Sequence, residues 1–343
     1  MLSRPDRAVK GGRVRAGQHV AARSRYHQAM VPPSGEQHVL SHGAQEAIVT
    51  EVGATLRSYV EGGRPVCWGF GVDEMCGGSR GQVLAPWPNR LRDGVYEFGG
   101  TRAHAPLDEP ARQNAIHGLV RWLPWRVVDR PGADVVRLGV VLHPQPAYPF
   151  RLRLEIEYRL GDSGLAVTIE ATSEDASPVP FGAGFHAYLS PAPVTVDEVR
   201  LAVPATTRLL LDERALPVGS EPVAGTPFEV VAGPAPVEQR EPIGSLRLDD
   251  CLTGMVLDGD GRWRARLAAP GSSGATVVWA DAIYRYAMCF TGDTLAGPDR
   301  RQGVAVEPMT CPPDALRTGE DLVVLEPGRT FASSWGIVPS GLS

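Results

Sequence analysis

Polar and apolar residues alternate in short runs over most of the chain, with little helical periodicity for more than two turns. The clearest run is 151–158, where the alternation extends over eight positions. Such a pattern places one face of a β-strand against a core and the other face in water. Asp162-Ser163-Gly164 follows and predicts a tight turn into a second strand at 165–169, so the two strands form a hairpin. The segment 258–261, Asp-Gly-Asp-Gly, predicts a second turn of this kind.

The same pattern continues from Glu46 to the C-terminal region. It predicts strands at 47–52, 135–142, 151–160, 165–171, 262–268, 275–279 and 284–290. The 39 glycines and 31 prolines are spread along the chain, which indicates many turns rather than one linker. No repeat of fixed period is visible, and this favours a large two-sheet sandwich over a propeller or solenoid. We therefore predict an all-β fold, a large twisted antiparallel β-sandwich, as a single domain over residues 30–343.

Charge changes abruptly near residue 30. Residues 1–29 hold seven basic side chains and one acidic one, although the whole chain has 34 basic and 39 acidic residues and a net charge of −5. We interpret residues 1–29 as a disordered basic extension. A start codon assigned upstream of a natural start at Met30 is one alternative, and a nucleic-acid-binding arm is another. The acidic remainder argues against nucleic acid as the main partner.

Several protein classes are disfavoured by what the sequence lacks. No window approaches the roughly 18 consecutive apolar residues of a membrane-spanning helix, and no apolar segment follows the basic N-terminus as in a secretory signal. We therefore expect a cytoplasmic protein with no membrane partner. The five cysteines include no C-x-x-C pair, so we expect buried free thiols rather than a zinc site or a disulfide framework. Lys10 is the only lysine, and no glycine-rich nucleotide-binding motif is present, which disfavours Schiff-base and nucleotide-dependent chemistry.

Three segments carry candidate acid or base groups. His117 precedes Gly118, and His186 lies among glycines and aromatic residues in the segment 181–188. Each histidine could line a concave site with a tunable pKa, or it could be a hydrogen-bonded core residue. Glu307 ends the apolar run 303–307 just before a proline. Burial there would raise the pKa of its carboxyl group and suit a general base, whereas a strand-end side chain that reaches solvent is the alternative.

Two further segments could bind the hydroxyl groups of a sugar. Asn89-Arg90 and Asp249-Asp250 each follow an apolar run, and guanidinium and carboxylate groups are common polar contacts for polyols. Tryptophans could offer stacking faces or belong to the core, and the candidates are Trp68, Trp87, Trp122, Trp125 and Trp279.

Six short motifs follow one another along the chain. They are Pro-Asn-Arg-Leu-Arg-Asp-Gly at 88–94, Asn-Ala-Ile-His-Gly at 114–118, Tyr-Pro-Phe at 148–150, Pro-Phe-Gly at 180–182 leading to His-Ala-Tyr at 186–188, Leu-Asp-Asp at 248–250, and Val-Glu-Pro-Met-Thr at 306–310. In this order they make the sequence from about Met30 to Val338 resemble the aldose 1-epimerase (galactose mutarotase-like) family.

The resemblance implies a twisted β-sandwich with a sugar cleft on one concave face. His186 matches the family's general acid and Glu307 its general base. The family's sugar-binding residues match Arg90, His117 and Asp249. The resemblance implies no metal and no cofactor, and a small aldose sugar as the partner.

Departures from the family's commoner pattern concern substrate preference more than chemistry. Ala187 and Leu189 stand where proline or serine and phenylalanine are frequent. The doubled aspartate leaves open whether Asp249 or Asp250 contacts the sugar.

The resemblance also implies a reaction, the interconversion of α and β anomers of an aldohexose such as glucose or galactose. His186 is then expected to start protonated and Glu307 ionised. A hexose-6-phosphate 1-epimerase is one alternative, and it would need several arginines around a phosphate, taken from Arg90, Arg92, Arg121 and Arg126. A non-catalytic sugar-binding module is another, and a glycoside hydrolase or lyase a third, for which Asp249 is available as a second carboxylate. The physiological sugar and the oligomeric state stay open.

Overall fold

The structure is a computed structural model that describes residues 31–272 and 274–341. The predicted basic extension, residues 1–29, lies outside the described residues. Strands are the dominant regular structure of the described residues, and helical structure is scarce. Its first strands are β1 (Gln37–His42), β2 (Gln45–Thr50), β3 (Leu56–Glu61), β4 (Arg64–Pro65), β5 (Val83–Leu84), β6 (Arg90–Arg92), β7 (Val95–Phe98), β8 (Thr101–His104) and β9 (Asn114–Ile116).

The remaining strands follow in chain order. The middle of the chain forms β10 (Arg126–Gly132), β11 (Val135–Leu142), β12 (Leu152–Gly161), β13 (Gly164–Ser173), β14 (Val179–Phe181), β15 (Gly184–Phe185), β16 (Tyr188–Leu189), β17 (Arg200–Ala202), β18 (Ala205–Leu211) and β19 (Pro217–Pro222). The last part forms β20 (Asp249–Met255), β21 (Arg262–Ala268), β22 (Thr276–Asp281), β23 (Tyr286–Phe290), β24 (Val304–Met309), β25 (Val323–Leu325) and β26 (Thr330–Val338).

Helical structure is limited to short turns. The described residues contain one α-helix, α1 (Ala315–Thr318), and 3₁₀ turns at Pro110–Arg112, Pro227–Val230, Val237–Gln239 and Gly297–Asp299. Within residues 31–272 and 274–341, none of the helices has the length and apolar character needed to cross a membrane.

Two large antiparallel sheets form the body of the fold. The first runs in the order β10-β11-β12-β13-β26-β22-β21-β17, and the second in the order β19-β18-β20-β23-β24-β15-β5, with β16 also paired to β24. Smaller sheets flank them: the four strands β1 to β4 in chain order, and the pairs β14-β25, β6-β9 and β7-β8. The prediction of an all-β fold built as a large antiparallel sandwich is confirmed.

The two large sheets share one apolar core. Along β12 the side chains at alternate positions from Leu152 to Leu160 are buried, while those between them face outward. The same apolar cluster includes Val278 on β22, also in the first sheet, and Val306 on β24, in the second sheet. Burying one large apolar side chain contributes about 1.5–3 kcal/mol, so a core of this size stabilises both sheets together. All five cysteines are buried free thiols, as predicted.

The local predictions agree closely with the strands observed. All seven predicted strands overlap an observed strand, and 135–142 and 262–268 have the predicted bounds. The hairpin at residue 162 is confirmed, because Gly161 pairs with Gly164 across a two-residue turn. The turn at 258–261 is present, with the Gly261 amide donating to the Asp258 carbonyl at 3.0 Å. It does not join two neighbouring strands, however, since β20 lies in the second sheet and β21 in the first.

Candidate active site

One cavity of about 450 Å³ brings together all five predicted site residues. They are Arg90, His117, His186, Asp249 and Glu307. The remaining lining residues include a charged group and an apolar group. The charged group is Asp108, Glu109, Arg112 and Arg121, and the apolar group includes Ile116, Tyr188, Met288, Phe290 and Leu295. None of the five candidate tryptophans lines this cavity, and Trp87 and Trp125 are buried in the core.

The second large sheet sets which carboxylates face the cavity. Glu307 on β24 lies opposite Met288 on β23, and Asp249 on β20 lies opposite Phe290 two residues further along β23. Side chains two apart on a strand share a face, so Glu307 and Asp249 project to the same side of the sheet. Asp250 lies opposite Cys289 and projects to the other side.

The segment that carries His186 runs antiparallel along one side of β24. Gly184 of β15 pairs with Met309, and Tyr188 of β16 pairs with Ala305, so His186 lies over the middle of β24 next to Glu307. The His186 amide donates to the Gln82 carbonyl at 3.0 Å, which holds this segment to its neighbour. The imidazole Nε2 is then 3.3 Å from Glu307 Oε1.

Burial dominates the electrostatics of this histidine and glutamate. The two residues are 7% and 2% exposed, and among the described residues neither His186 Nδ1 nor Glu307 Oε2 has a hydrogen-bond partner. Burial raises the pKa of Glu307 well above its usual value, and burial lowers the pKa of His186. Both shifts favour an uncharged pair, with the proton on Glu307, over the ion pair that the sequence analysis expects for the reaction.

The uncharged pair and the ion pair hold the same number of protons. They differ only in which side of the 3.3 Å contact carries the proton. Such a pair contains one acid and one base in either state.

His117 is placed by a strained turn after β9. Its φ is +65°, and its amide donates to the Asn89 carbonyl at 2.9 Å. Gly118 follows with φ +69°, and a Cβ there would lie 2.1 Å from the Ala85 carbonyl oxygen, so this position requires glycine. The His117 ring meets His186 edge-on, with centroids 5.3 Å apart. Burial, followed by the nearby His186, lowers the pKa of His117 well below its usual value.

Arg90 is held by a carboxylate that the sequence analysis missed. Glu109 accepts hydrogen bonds from Arg90 Nε at 2.9 Å and Nη2 at 3.0 Å, and also from Arg112 and Asn114. Burial opposes ionisation of Glu109, but the hydrogen bonds and charge of Arg90 outweigh it, and the pKa of Glu109 is lowered. Four donors saturate its two oxygens. Glu109 therefore orients Arg90 rather than binding a ligand itself.

Asp249 differs from Glu109 in having capacity left to bind. Its Oδ2 is 3.9 Å from Arg90 Nη2 and 3.7 Å from Arg112 Nη1, distances too long for hydrogen bonds. Asp250 instead accepts a hydrogen bond from Arg208 at 3.0 Å and does not line the cavity. Of the two adjacent aspartates, Asp249 is thus the one that a ligand in the cavity can reach.

The cavity combines a buried proton-transfer pair, an oriented guanidinium group, an accessible carboxylate and an apolar wall. Polar groups that converge on one side of a partly apolar pocket are typical of small-molecule sites. Within residues 31–272 and 274–341, no group of three or more histidine, cysteine, aspartate or glutamate side chains is arranged to hold a metal ion.

Comparison with known proteins assigns the chain to a family. A sequence model described as aldose 1-epimerase matches residues 36–337. The chain belongs to the aldose 1-epimerase family. Uncharacterized protein YihR of Escherichia coli (strain K12) is 30% identical to this family member over 297 residues, which cover 86% of this chain and 91% of that protein.

Solved structures agree with the fold of this aldose 1-epimerase family member. A GalM/aldose epimerase homologue from C. elegans has a TM-score of 0.76 at 18% identity, with 88% of this chain and 98% of that chain covered. A galactose 1-epimerase from Lactobacillus acidophilus NCFM has a TM-score of 0.71 at 19% identity, with 88% and 94% covered. The predicted galactose mutarotase-like sandwich is confirmed.

Proposed function

We propose that the protein is an aldose 1-epimerase, an isomerase that interconverts the α and β anomers of an aldohexose such as glucose or galactose. The observation that carries the proposal is the buried contact between His186 Nε2 and Glu307 Oε1, 3.3 Å apart at the wall of a cavity of about 450 Å³. Anomer exchange needs one base and one acid within reach of adjacent oxygens of the sugar. This contact offers both.

The reaction opens and recloses the sugar ring. The Glu307 carboxylate takes the proton of the C1 hydroxyl while protonated His186 gives its proton to the ring oxygen. The bond between C1 and the ring oxygen breaks, and C1 becomes the carbonyl carbon of an aldehyde. Rotation about the C1–C2 bond exposes the other face, and closure returns the proton of Glu307 to the C1 oxygen while His186 takes back the proton of the ring hydroxyl.

The directions in which burial shifts the pKa values of Glu307 and His186 fit the midpoint of this cycle. After ring opening, Glu307 is protonated and His186 is neutral, which is the pair that burial favours. The closed sugar requires the ion pair, and hydrogen bonds from its hydroxyl groups favour the charged forms. The site thus stabilises the open-chain intermediate, and the sugar brings the polar contacts that the unpartnered Glu307 Oε2 lacks.

The sugar is bound by the polar groups on the other side of the cavity. Arg90, held by Glu109, donates to sugar hydroxyls, Asp249 accepts from them, and His117 contacts the sugar beside His186. The apolar wall that includes Phe290 and Leu295 covers C–H groups of the ring. A positioned acid or base contributes about 10² to 10⁴ in rate, which is sufficient for a reaction that already proceeds in water.

A neutral sugar suits the cavity better than a phosphorylated one. Of the four arginines considered for a phosphate site, only Arg90 and Arg121 line the cavity. Arg90 is paired with Glu109, and Arg121 is paired with Asp108. Arg92 instead contacts Asp212 and Asp314, and Arg126 lies on the edge strand β10. A phosphate would therefore meet carboxylates beside each available guanidinium group.

Polarimetry tests the proposal. The optical rotation of freshly dissolved α-D-glucose and α-D-galactose is recorded with wild-type protein and with His186→Asn. We expect faster relaxation that the substitution removes. Binding of sugar without any acceleration would instead identify a non-catalytic module. Acceleration with glucose 6-phosphate alone would support the hexose-6-phosphate alternative.

A further inference from the structure

The imidazole of His186 lies at one end of a series of packed side chains that begins at the cavity wall with Tyr188. The Tyr188 ring is stacked on His186, with centroids 5.0 Å apart and planes inclined by 18°. The edge of Trp68 meets Tyr188 at 5.2 Å, and the guanidinium of Arg80 lies 4.4 Å above Trp68. Tyr188 is almost fully buried, and its hydroxyl donates to the Gly78 carbonyl at 3.1 Å. These contacts fix the plane of the Tyr188 ring.

No side chain among the described residues forms a hydrogen bond with the second ring nitrogen of His186. A catalytic histidine is usually oriented by a hydrogen bond from its second ring nitrogen. Here His186 Nδ1 has no hydrogen-bond partner among the described residues. Its ring is stacked on Tyr188 and makes a T-shaped contact with His117. These ring contacts flank the imidazole where no other side chain bonds its Nδ1.

We propose that Tyr188 is a positioning residue for His186. The face of the Tyr188 ring holds the imidazole of His186 toward Glu307 and stabilises the protonated form of that imidazole. The inference rests on the proposed function only for what His186 does. The geometry itself is independent of that function. A cation within about 6 Å of the centroid of a tyrosine ring is attracted to its negative face, and the imidazolium form of His186 meets this condition.

The ring is one of several groups that act on the charge of His186. Burial lowers the pKa of His186, a contact with its own backbone raises it, and the positive charges of Arg121 and Arg90 lower it. The groups that face the imidazole from the elements around it are Glu307, His117, Tyr188, Arg90 and Arg121. Of these groups, the Glu307 carboxylate and the face of the Tyr188 ring attract a positive charge, and substitution at Tyr188 leaves Glu307 and the backbone contact of His186 in place.

The test compares three variants with the wild type. Tyr188→Leu and Tyr188→Met remove the ring and keep apolar bulk, and Tyr188→Phe removes only the hydroxyl bonded to Gly78. Tyr148→Leu is the matched control, because Tyr148 is also buried and its hydroxyl also donates to a carbonyl, that of Pro180, at 2.6 Å outside the cavity. The readouts are kcat and KM for α-D-galactose, and the pKa of His186 from NMR titration of its ring carbon.

Removing the ring is expected to lower kcat about tenfold with KM within about twofold of wild type. The pKa of His186 is expected to fall by roughly half to one unit in Tyr188→Leu and Tyr188→Met. Tyr188→Phe should keep kcat and the pKa of His186 near their wild-type values. Tyr148→Leu should leave the pKa of His186 unchanged.

Three results would overturn the inference. They are an unchanged or raised pKa of His186 in both ring-deleted variants, unchanged kcat in those variants, or a loss in Tyr188→Phe as large as in Tyr188→Leu. Failure of the proposed function gives a different result, since wild type and His186→Asn would then exchange anomers equally. The NMR titration would still decide the role of Tyr188 in that case.

Discussion

Replacing Glu109 with glutamine tests whether the orientation of Arg90 controls sugar binding. Glu109 accepts four hydrogen bonds, two of them from Arg90 at 2.9 and 3.0 Å. A glutamine amide keeps one acceptor oxygen and places an NH₂ group against the second Arg90 donor. At least one charged hydrogen bond is therefore lost, which costs about 1.5–3 kcal/mol. If Arg90 binds sugar, kcat/KM should fall by about ten- to a hundredfold.

The assay is anomer exchange of α-D-galactose at several sugar concentrations, together with the melting temperature. The loss should appear mainly in KM, because Arg90 binds the sugar and does not transfer a proton. Glu174→Gln is the matched control. Glu174 also accepts from two arginines, Arg151 Nε at 2.9 Å and Arg153 Nε at 3.0 Å, and it does not line the cavity.

The reasoning is refuted if Glu109→Gln is folded and retains kcat/KM within twofold of the wild type. An equal loss in the Glu174→Gln control would also count against it, because the effect would then not be specific to the cavity.

Three other predictions follow from particular residues. Gly118→Ala should lower the free energy of unfolding by at least about 2 kcal/mol. Gly225→Ala should lower it less. Both glycines have positive φ, but only at Gly118 would an added Cβ lie 2.1 Å from a carbonyl oxygen, that of Ala85. Between pH 7 and pH 5, the free energy of unfolding of the wild type should fall by more than that of His117→Gln, as measured by urea unfolding. The reason is that the pKa of His117 is lowered in the folded protein, so the unfolded chain binds more protons as the pH falls below 6.5. Equal pH dependence would contradict this. Asp249→Asn should raise KM about tenfold, whereas Asp250→Asn should leave KM near wild type; the reverse order would show that Asp250 contacts the sugar.

The strands were predictable because side-chain alternation is a local property. The run at 151–158 needs only its own residues to show one apolar and one polar face, and it forms β12 as expected. The order of strands in the sheets is not local. β13 pairs with β26, and β5 pairs with β15, across long stretches of chain. No feature of either strand alone identifies its neighbour.

The site was predictable only where motifs carried it. His117, His186 and Glu307 stood out by their sequence settings, and the resemblance implied their roles. The strand pairing around β24 explains why His186 lies next to Glu307. Glu109 carries no motif, and its role depends on Arg90 and Arg112 lying beside it in space. Burial acts against the expected charge state for a similar reason, since the sequence does not show that both members of the acid–base pair are buried with an unpartnered polar atom each.

The most direct test of the account is whether His186 and Glu307 act as one unit. Exchange NMR of sugar labelled with ¹³C at C1 measures the rate of anomer interconversion at equilibrium for wild type, His186→Asn, Glu307→Gln and the double variant. The account predicts that each single variant loses most of the acceleration and that the double variant is no slower than either, because removing one partner already disables the pair. Additive losses, or a single variant that exchanges anomers near the wild-type rate, would contradict it.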